Sequence, residues 1–333
     1  MARVALDLLG GDGAPEAVAD AVALLLAQGT GIDLVLVGPS RLAGLLAERG
    51  VDPAELTWLP AERAVPMADD ALELVRADCG RDSAELTVTA AARAVKEGLA
   101  DALVSVGHTG ASVSACVLTL GRIPGMTRPA LAVVLPAAHQ PVVLVDAGAS
   151  LDATPAALVQ FALTGWCYAQ TLGVAQPAVG LLSIGHEPGK GDDLRRSADP
   201  VLRERLGAAG VPYAGNVEGH DVADGRRAQV IVTDGFTGNV LLKGIEGTVA
   251  WSARRMGAAY GDAAPAQSVV HEVATGDFAG GMLLGVNGVA VVGHGAGSPA
   301  EIAACVRLAA RTADQGIVPL TRAAFAAVVE AAP

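Results

Sequence analysis

The sequence predicts an α/β protein with a mostly parallel, mixed sheet and helices on both faces, and three observations carry that expectation. Short apolar runs recur along the 333 residues, helix-period segments lie between most of them, and glycine-rich turns follow many of the runs. Strands are expected near 2–8, 32–38, 101–106, 130–135, 141–146, 178–184, 229–233 and 288–293. The helix-period segments are 14–28, with Pro15 suited to a first turn, then 83–99, 154–171, 239–256 and 299–312. One stretch, ALAVVLPAAHQPVVLVDAG, joins two apolar runs by only a few residues. A link that short cannot cross over, so it predicts a hairpin and makes the sheet mixed.

Composition bounds the answer further. The chain is 52% hydrophobic, 17% charged and only 3% aromatic, with abundant Gly and Ala, which is ample for a large core. No Pro/Ser-rich linker, charge block or low-complexity run marks a boundary, so residues 1–333 read as one elaborated domain. A net charge of −12 argues against nucleic acid as the main partner, since binding it needs a basic surface. Basic residues do cluster at Lys190, Arg195, Arg196, Arg203 and Arg205 and again at Arg254 and Arg255. They read either as solvated helix faces or as a positive patch for an acidic partner. Cys79, Cys116, Cys167 and Cys305 are far apart and form no CxxC pair, so neither a zinc site nor a disulfide framework is indicated. With a start that opens on a strand pattern (MARVALDLL) and no basic-then-apolar leader, a reduced, cytoplasmic setting is expected. No apolar run reaches the roughly 18 residues of a membrane span.

TDGFTGNVLLKGIEG, residues 233–247, is the most informative motif: a strand at 229–233 runs into a glycine turn that opens a helix. The first amides of a helix lack intrahelical partners and, with the helix dipole, favour an anion. The same arrangement recurs in ALDLLGGDGAPEA, LVLVGPS, ALVSVGHTGAS, VVLVDAGASLD, LLSIGHEPGKGDDL and VAVVGHGAGSPAEI. Each sets Gly, Ser, Thr, Asp or Asn at the carboxyl end of a strand, the edge where open parallel sheets bind ligands. No GxxxxGK[ST] is present, and no GxGxxG follows a strand with an acidic residue about 20 positions on. ATP and NAD are therefore unsupported, and a small phosphate or inorganic phosphate is expected.

In chain order, LDLLGGDGAPEA, SVGHTGAS, VDAGAS, IGHEPGKG, NVEGHD, TDGFTGNVLLKGIEGT and LLGVNGVAVVGHG resemble the landmarks of the acyl-acyl-carrier-protein:phosphate acyltransferases, the PlsX family of bacterial phospholipid synthesis. The resemblance runs from residue 3 to about 312. It implies a three-layer α/β/α fold similar to phosphotransacetylase and the isocitrate dehydrogenases, in a homodimer whose protruding helical region spans 240–282. The implied reaction makes acyl phosphate from a fatty acyl-carrier-protein thioester and inorganic phosphate, with no metal or organic cofactor.

Phosphate is already a nucleophile near neutral pH, so such a site need only hold it beside the thioester carbonyl and stabilise the tetrahedral oxyanion. The candidate donors are the backbone amides at 107–110, 148–150 and 235–239, including Gly107, Gly110, Gly148, Ser150, Gly235 and Gly238, with Thr109, Thr237 and Asn239 adding side-chain contacts. Lys190 and Lys243 are candidates for neutralising phosphate charge, and His108 and His294 for general acid–base work or hydrogen bonding to phosphate. Asp7, Asp12, Asp146 and Asp234, together with Gly10 and Gly11, sit at strand ends, where carboxylates either meet substrate or cap turns. Cys116 reads as a small buried cysteine rather than an acyl-accepting nucleophile, and His139, His186, His220 and His271 as surface or turn residues.

Four positions depart from the family pattern. His108 stands where SAGNTGA has asparagine, Ser150 ends the usual DAGAN, His220 replaces the arginine of NxEGRD, and Gly13 replaces the histidine of GGDHAP. The segment after the IEGT helix also lacks a long apolar stretch, which predicts weak or absent membrane contact. Three functions stay open: the long-chain phosphate acyltransferase; a phosphotransacetylase-like or specialised paralogue using a short or unusual acyl donor, from coenzyme A or a carrier; and a silent acyl-carrier-protein-binding protein.

Overall fold

The computed structural model describes residues 2–66, 69–262, 264, 266–268, 270 and 279–330, and His271 lies outside them. The chain falls into two compact units, neither continuous in sequence: residues 1–122 with 279–318, and residues 123–278 with 319–333.

The first unit holds β1 (Arg3–Asp7), β2 (Asp33–Val37), β3 (Thr57–Leu59), β4 (Ala102–Ser105), β10 (Gly281–Leu284) and β11 (Val289–Val292), in the order β3-β2-β1-β4-β11-β10. Every pairing is parallel except β10 with β11. The interior strands β1 and β4 are buried almost throughout, which is why they read as unbroken Val/Leu/Ala runs instead of alternating. Helix α1 (Glu16–Ala27) packs on α2 (Ala43–Ala47) and on the helix Pro299–Asp314, while α3 (Ala71–Cys79), α4 (Thr87–Lys96) and α5 (Thr109–Leu120) pack together. At the start of Pro299–Asp314, Ser298 and Glu301 form a reciprocal capping box behind a proline, which fixes that boundary.

The second unit orders its strands β5-β6-β9-β7-β8, from β5 (Ala130–Leu135), β6 (Val142–Val145), β7 (Val179–Leu182), β8 (Tyr213–Val217) and β9 (Val230–Val232). β5 and β6 form the expected hairpin, pairing antiparallel from Leu135↔Val142 to Ala132↔Val145, and the other pairings are parallel. Its helices are α6 (Pro155–Thr171), α7 (Asp193–Ala208), α8 (Gly219–Asp224) and α9 (Gly235–Tyr260). Thr154 caps α6 by accepting the Ala157 amide at 3.2 Å, and Phe161 and Tyr168 on that helix are fully buried. Leu144, Val217, Ile231 and Leu242 share one buried cluster that seats α9 on the strands, and each such side chain contributes about 1.5–3 kcal/mol of burial.

Candidate active site

Within each unit, parallel pairing puts the carboxyl ends of the strands on one edge, and the expected residues gather there. In the first unit these are the ends of β1, β4 and β11, followed by the glycine loops at 8–12, 107–110 and 293–297.

Asp7 ends β1 with its side chain buried. Its Oδ1 accepts the amides of Leu9 and Gly10, both at 3.1 Å, and its Oδ2 accepts the Ser105 hydroxyl at 2.8 Å. Ser105 Oγ in turn accepts the Gly107 amide at 3.3 Å, so one carboxyl ties the β1 loop to the β4 loop. Burial pushes this carboxyl above its usual range, against hydrogen bonds that pull it down. The loops touch closely: a Cβ on Gly10 would lie 2.8 Å from the Gly107 nitrogen, and the Asp12 amide donates to the Gly295 carbonyl at 2.7 Å.

His108 is the N-cap of α5, and its Nδ1 accepts the Ala111 amide at 3.4 Å. The neutral ring therefore carries its proton on Nε2, and the imidazole supplies the cap acceptor of α5. The amides of Thr109 and Gly110 take no part in these bonds. A pocket of about 190 Å3 lies against the first turn of α5, lined by Asp7, Gly10, Gly11, Asp12, Gly107, His108, Ala111 and Ser112 among others. Thr109 and His294 are exposed at the rim of their loops.

In the second unit the expected residues follow β6, β7 and β9. Asp146 is buried, and its carboxyl accepts four backbone amides: Leu131 at 2.9 Å, Gly148 at 3.0 Å and Ala149 at 2.9 Å on Oδ1, and Ser150 at 2.7 Å on Oδ2. The oxyanion donors expected at 148–150 are thus engaged within their own loop. Burial again pushes this carboxyl up, opposed by those amides. Gly235 donates to the Ser150 carbonyl at 2.8 Å, and a Cβ on Gly238 would lie 1.8 Å from the Asp146 carbonyl oxygen, so α9 starts in direct contact with this loop. Asn239 joins them, its Nδ2 donating to the Ala147 carbonyl at 3.2 Å.

Asp234 caps α9, accepting the Thr237 amide and hydroxyl, both at 2.8 Å. Its Oδ2 also pairs with Arg195 Nη2 at 2.5 Å. Burial alone would raise this carboxyl, but Thr237 and Arg195 outweigh it and hold it below the usual range. Arg195 is buried, and its guanidinium also reaches Thr233 Oγ1 at 2.6 Å, the Leu182 carbonyl at 3.2 Å and Asp192 at 2.9 Å. The expected surface cluster is corrected here, because Arg195 faces inward as the cation that organises the loop after β9. Its neighbours are paired too: Arg196 with Asp193, and Arg203 with Asp199 at 3.2 Å while lying over the Tyr213 ring. The sequence signal was the helix period, since Arg195 shares the buried face of α7 with Ala198, Leu202 and Leu206.

The two lysines fall differently. Lys190 is exposed in the loop after β7, and Lys243 is exposed on α9, where it pairs with Glu246 at 2.8 Å. Cys116 is fully buried, and burial pushes its thiol up to about 12, which removes it as a nucleophile.

A sequence profile of the family described as fatty acid synthesis protein matches residues 2–319. A phosphate acyltransferase of Thermobifida fusca (strain YX) is 41% identical over 318 residues, covering 91% of this chain and 86% of that protein. Another phosphate acyltransferase, from Desulfitobacterium hafniense (strain Y51), is 36% identical with 96% of each chain covered. The chain belongs to the phosphate acyltransferase family. Among solved structures, a phosphotransacetylase from Streptococcus pyogenes superposes with a TM-score of 0.66 at 17% identity, covering 95% of this chain and 94% of that one. That likeness shows the fold, an α/β architecture with a mostly parallel sheet and helices on both sides. The family match spans residues 2–319 and so takes in all the loops described above.

Proposed function

We propose that this member of the phosphate acyltransferase family makes acyl phosphate from a fatty acyl-carrier-protein thioester and inorganic phosphate in the cytoplasm, as a homodimer. The observation that carries the reading is the pocket beside α5, where a capped helix start, two close-packed glycine loops and an imidazole with its proton on Nε2 surround about 190 Å3. The positive end of the α5 dipole and an Nε2–H donor suit a phosphate dianion or the developing oxyanion. A phosphate oxygen attacks the thioester carbonyl carbon, the C–S bond breaks, and the carrier thiolate takes up the proton that hydrogen phosphate brought. Holding the nucleophile in place supplies most of what this step needs, so no acyl-enzyme is formed. The exposed apolar residues Phe236, Val240 and Trp251 lie along one face of α9 and suit a contact with a second copy.

The test is thioester consumption by purified protein with palmitoyl-carrier protein and phosphate, trapping the product as hydroxamate, repeated with acetyl-coenzyme A. Phosphate-dependent hydroxamate from the long-chain donor is expected; product from acetyl-coenzyme A alone would replace this reading with a short-chain one, and no product would remove it. His108→Ala should lower turnover about 100-fold, the cost of one oxyanion donor, while His139→Ala on the surface should not change it.

A further inference from the structure

In the second unit, apart from the loops after β6 and β9, two histidines from different segments converge on one carboxylate. His186 lies in the loop after β7, and His220 and Asp221 lie in α8, which follows β8. These strands are parallel neighbours, so both segments emerge at the same edge. His186 Nε2 is 2.8 Å from Asp221 Oδ2, and His220 Nε2 is 3.7 Å from Asp221 Oδ1. The two rings stand edge to face with centroids 5.8 Å apart. One ligand atom from each of the three residues can be chosen so that all lie within 4.8 Å of one another.

We propose that His186, His220 and Asp221 form a binding site for a divalent transition cation of the zinc class. Two imidazole nitrogens with one carboxylate oxygen are the donor set that such ions take, whereas magnesium and calcium require an oxygen shell. Asp221 is the fixed member: it is buried, and its Oδ2 also accepts the Glu218 amide at 2.8 Å. His220 is the adjustable one, with 67% of its side chain exposed. A tetrahedral ion at 2.0–2.2 Å from each ligand sets the ligand atoms about 3.4 Å apart. The His186–Asp221 gap of 2.8 Å must therefore open by roughly half an ångström, and the widest separation must close by a swing of His220. Glu218 Oε2, 3.3 Å from His220 Nδ1, is placed to orient that ring through its other nitrogen, as outer carboxylates do for metal-bound histidines. The fourth position is left to water, so the site is open and exchangeable. This departs from the absence of metal that the family resemblance implies.

Full-length protein stripped with chelator and dialysed free of it is titrated calorimetrically with Zn2+ alone. One Zn2+ per chain is expected, with no heat from Mg2+. His186→Ala and His220→Ala should each weaken binding by more than about 100-fold, beyond what loss of an outer partner costs. His139→Ala, a histidine of the same unit outside the cluster, should bind as the parent does, and far-UV circular dichroism checks that each variant is folded. Failure of the parent to bind Zn2+, or parent-like affinity in His186→Ala or His220→Ala, would overturn the site and leave an ordinary hydrogen-bonded cluster.

Discussion

Arg195 and Asp234 show how much the loop after β9 depends on a single buried pair. Their side chains are 8% and 9% exposed, and removing one partner leaves the other charge buried without its counter-ion. Arg195→Met should therefore cost about 3–5 kcal/mol at pH 7, measured as the shift in urea unfolding, and the double variant with Asp234→Asn should recover part of the loss. A cost below about 1 kcal/mol would mean that the pair does not organise the loop. The pH dependence has a definite sign. The Asp234 carboxyl is depressed in the fold, so its stabilisation is fully present above the unfolded value near 3.9 and is lost as pH falls through the lower folded value. The gap between parent and Asp234→Asn should accordingly shrink as acid denaturation is approached. Asp7 has the opposite sign, because burial raises it: its contribution is present below the unfolded value and is lost as pH rises through the folded one. Cysteine chemistry is fixed by burial as well. The thiols of Cys116, Cys167 and Cys305 are pushed up to about 12, while Cys79 is only half-buried. Iodoacetamide at pH 8 should label Cys79 alone in the native protein, read by peptide mass spectrometry, and Cys116→Ala should retain turnover. Native labelling of Cys116, or loss of turnover in its alanine variant, would reopen an acyl-enzyme route.

Three glycines separate what an element needs from what it tolerates. A Cβ on Gly238 would sit 1.8 Å from a backbone oxygen that cannot step aside. One on Gly165 would meet Val230 and Val145 side chains at 2.8 and 2.9 Å, where α6 packs on the strands, and one on Gly207 in α7 would meet nothing within 4 Å. Urea midpoints should therefore rank Gly207→Ala above the parent by up to about 1 kcal/mol and Gly165→Ala below it by about 1–3 kcal/mol, with Gly238→Ala the most damaged. Any other order would mean that close backbone approach does not set the position of α9. The same elements show what periodicity can reveal. β1, β4, β6, β9, α6 and α9 lie within a few residues of expectation because an unbroken apolar run or a capped helix start marks each, and α1 because its apolar residues keep a helix period. β8 and α7 did not stand out: YAGNV carries Gly and Asn inside the strand, and α7 is dense in charge with Pro200 in its interior. β10 was hidden because GMLL runs into a glycine-rich turn and its partner strand within ten residues. At the site, the carboxylates that end strands were legible as cap residues, as Asp234 shows. The inward turn of Arg195 was marked by helix period alone, and a charged residue on an apolar helix face reads as solvated until its partners are known.

At the scale of the whole molecule, charge and apolar surface decide how the protein meets a membrane. Sequence profiles and strand-edge glycine loops established the family and its fold, but lipid contact depends on surface features that no motif records. The net charge of −12 opposes approach to anionic lipid, and surface attraction of about 1 kcal/mol per basic residue would come only from local clusters. On α9, Arg254 and Arg255 are exposed and form such a cluster, next to exposed Trp251, Met256 and Tyr260. No helix among the described residues is long and apolar enough to cross a membrane. Two basic residues fall short of the four to eight that make a lipid-binding cluster, and aromatic residues without a longer apolar face give a shallow hold. Flotation with anionic vesicles at physiological salt should therefore leave most of the protein in the aqueous fraction. Recovery of most of it with the lipid would sink that expectation, and raising the salt would then identify the cause: release would assign binding to Arg254 and Arg255, and retention would assign it to the apolar face of α9.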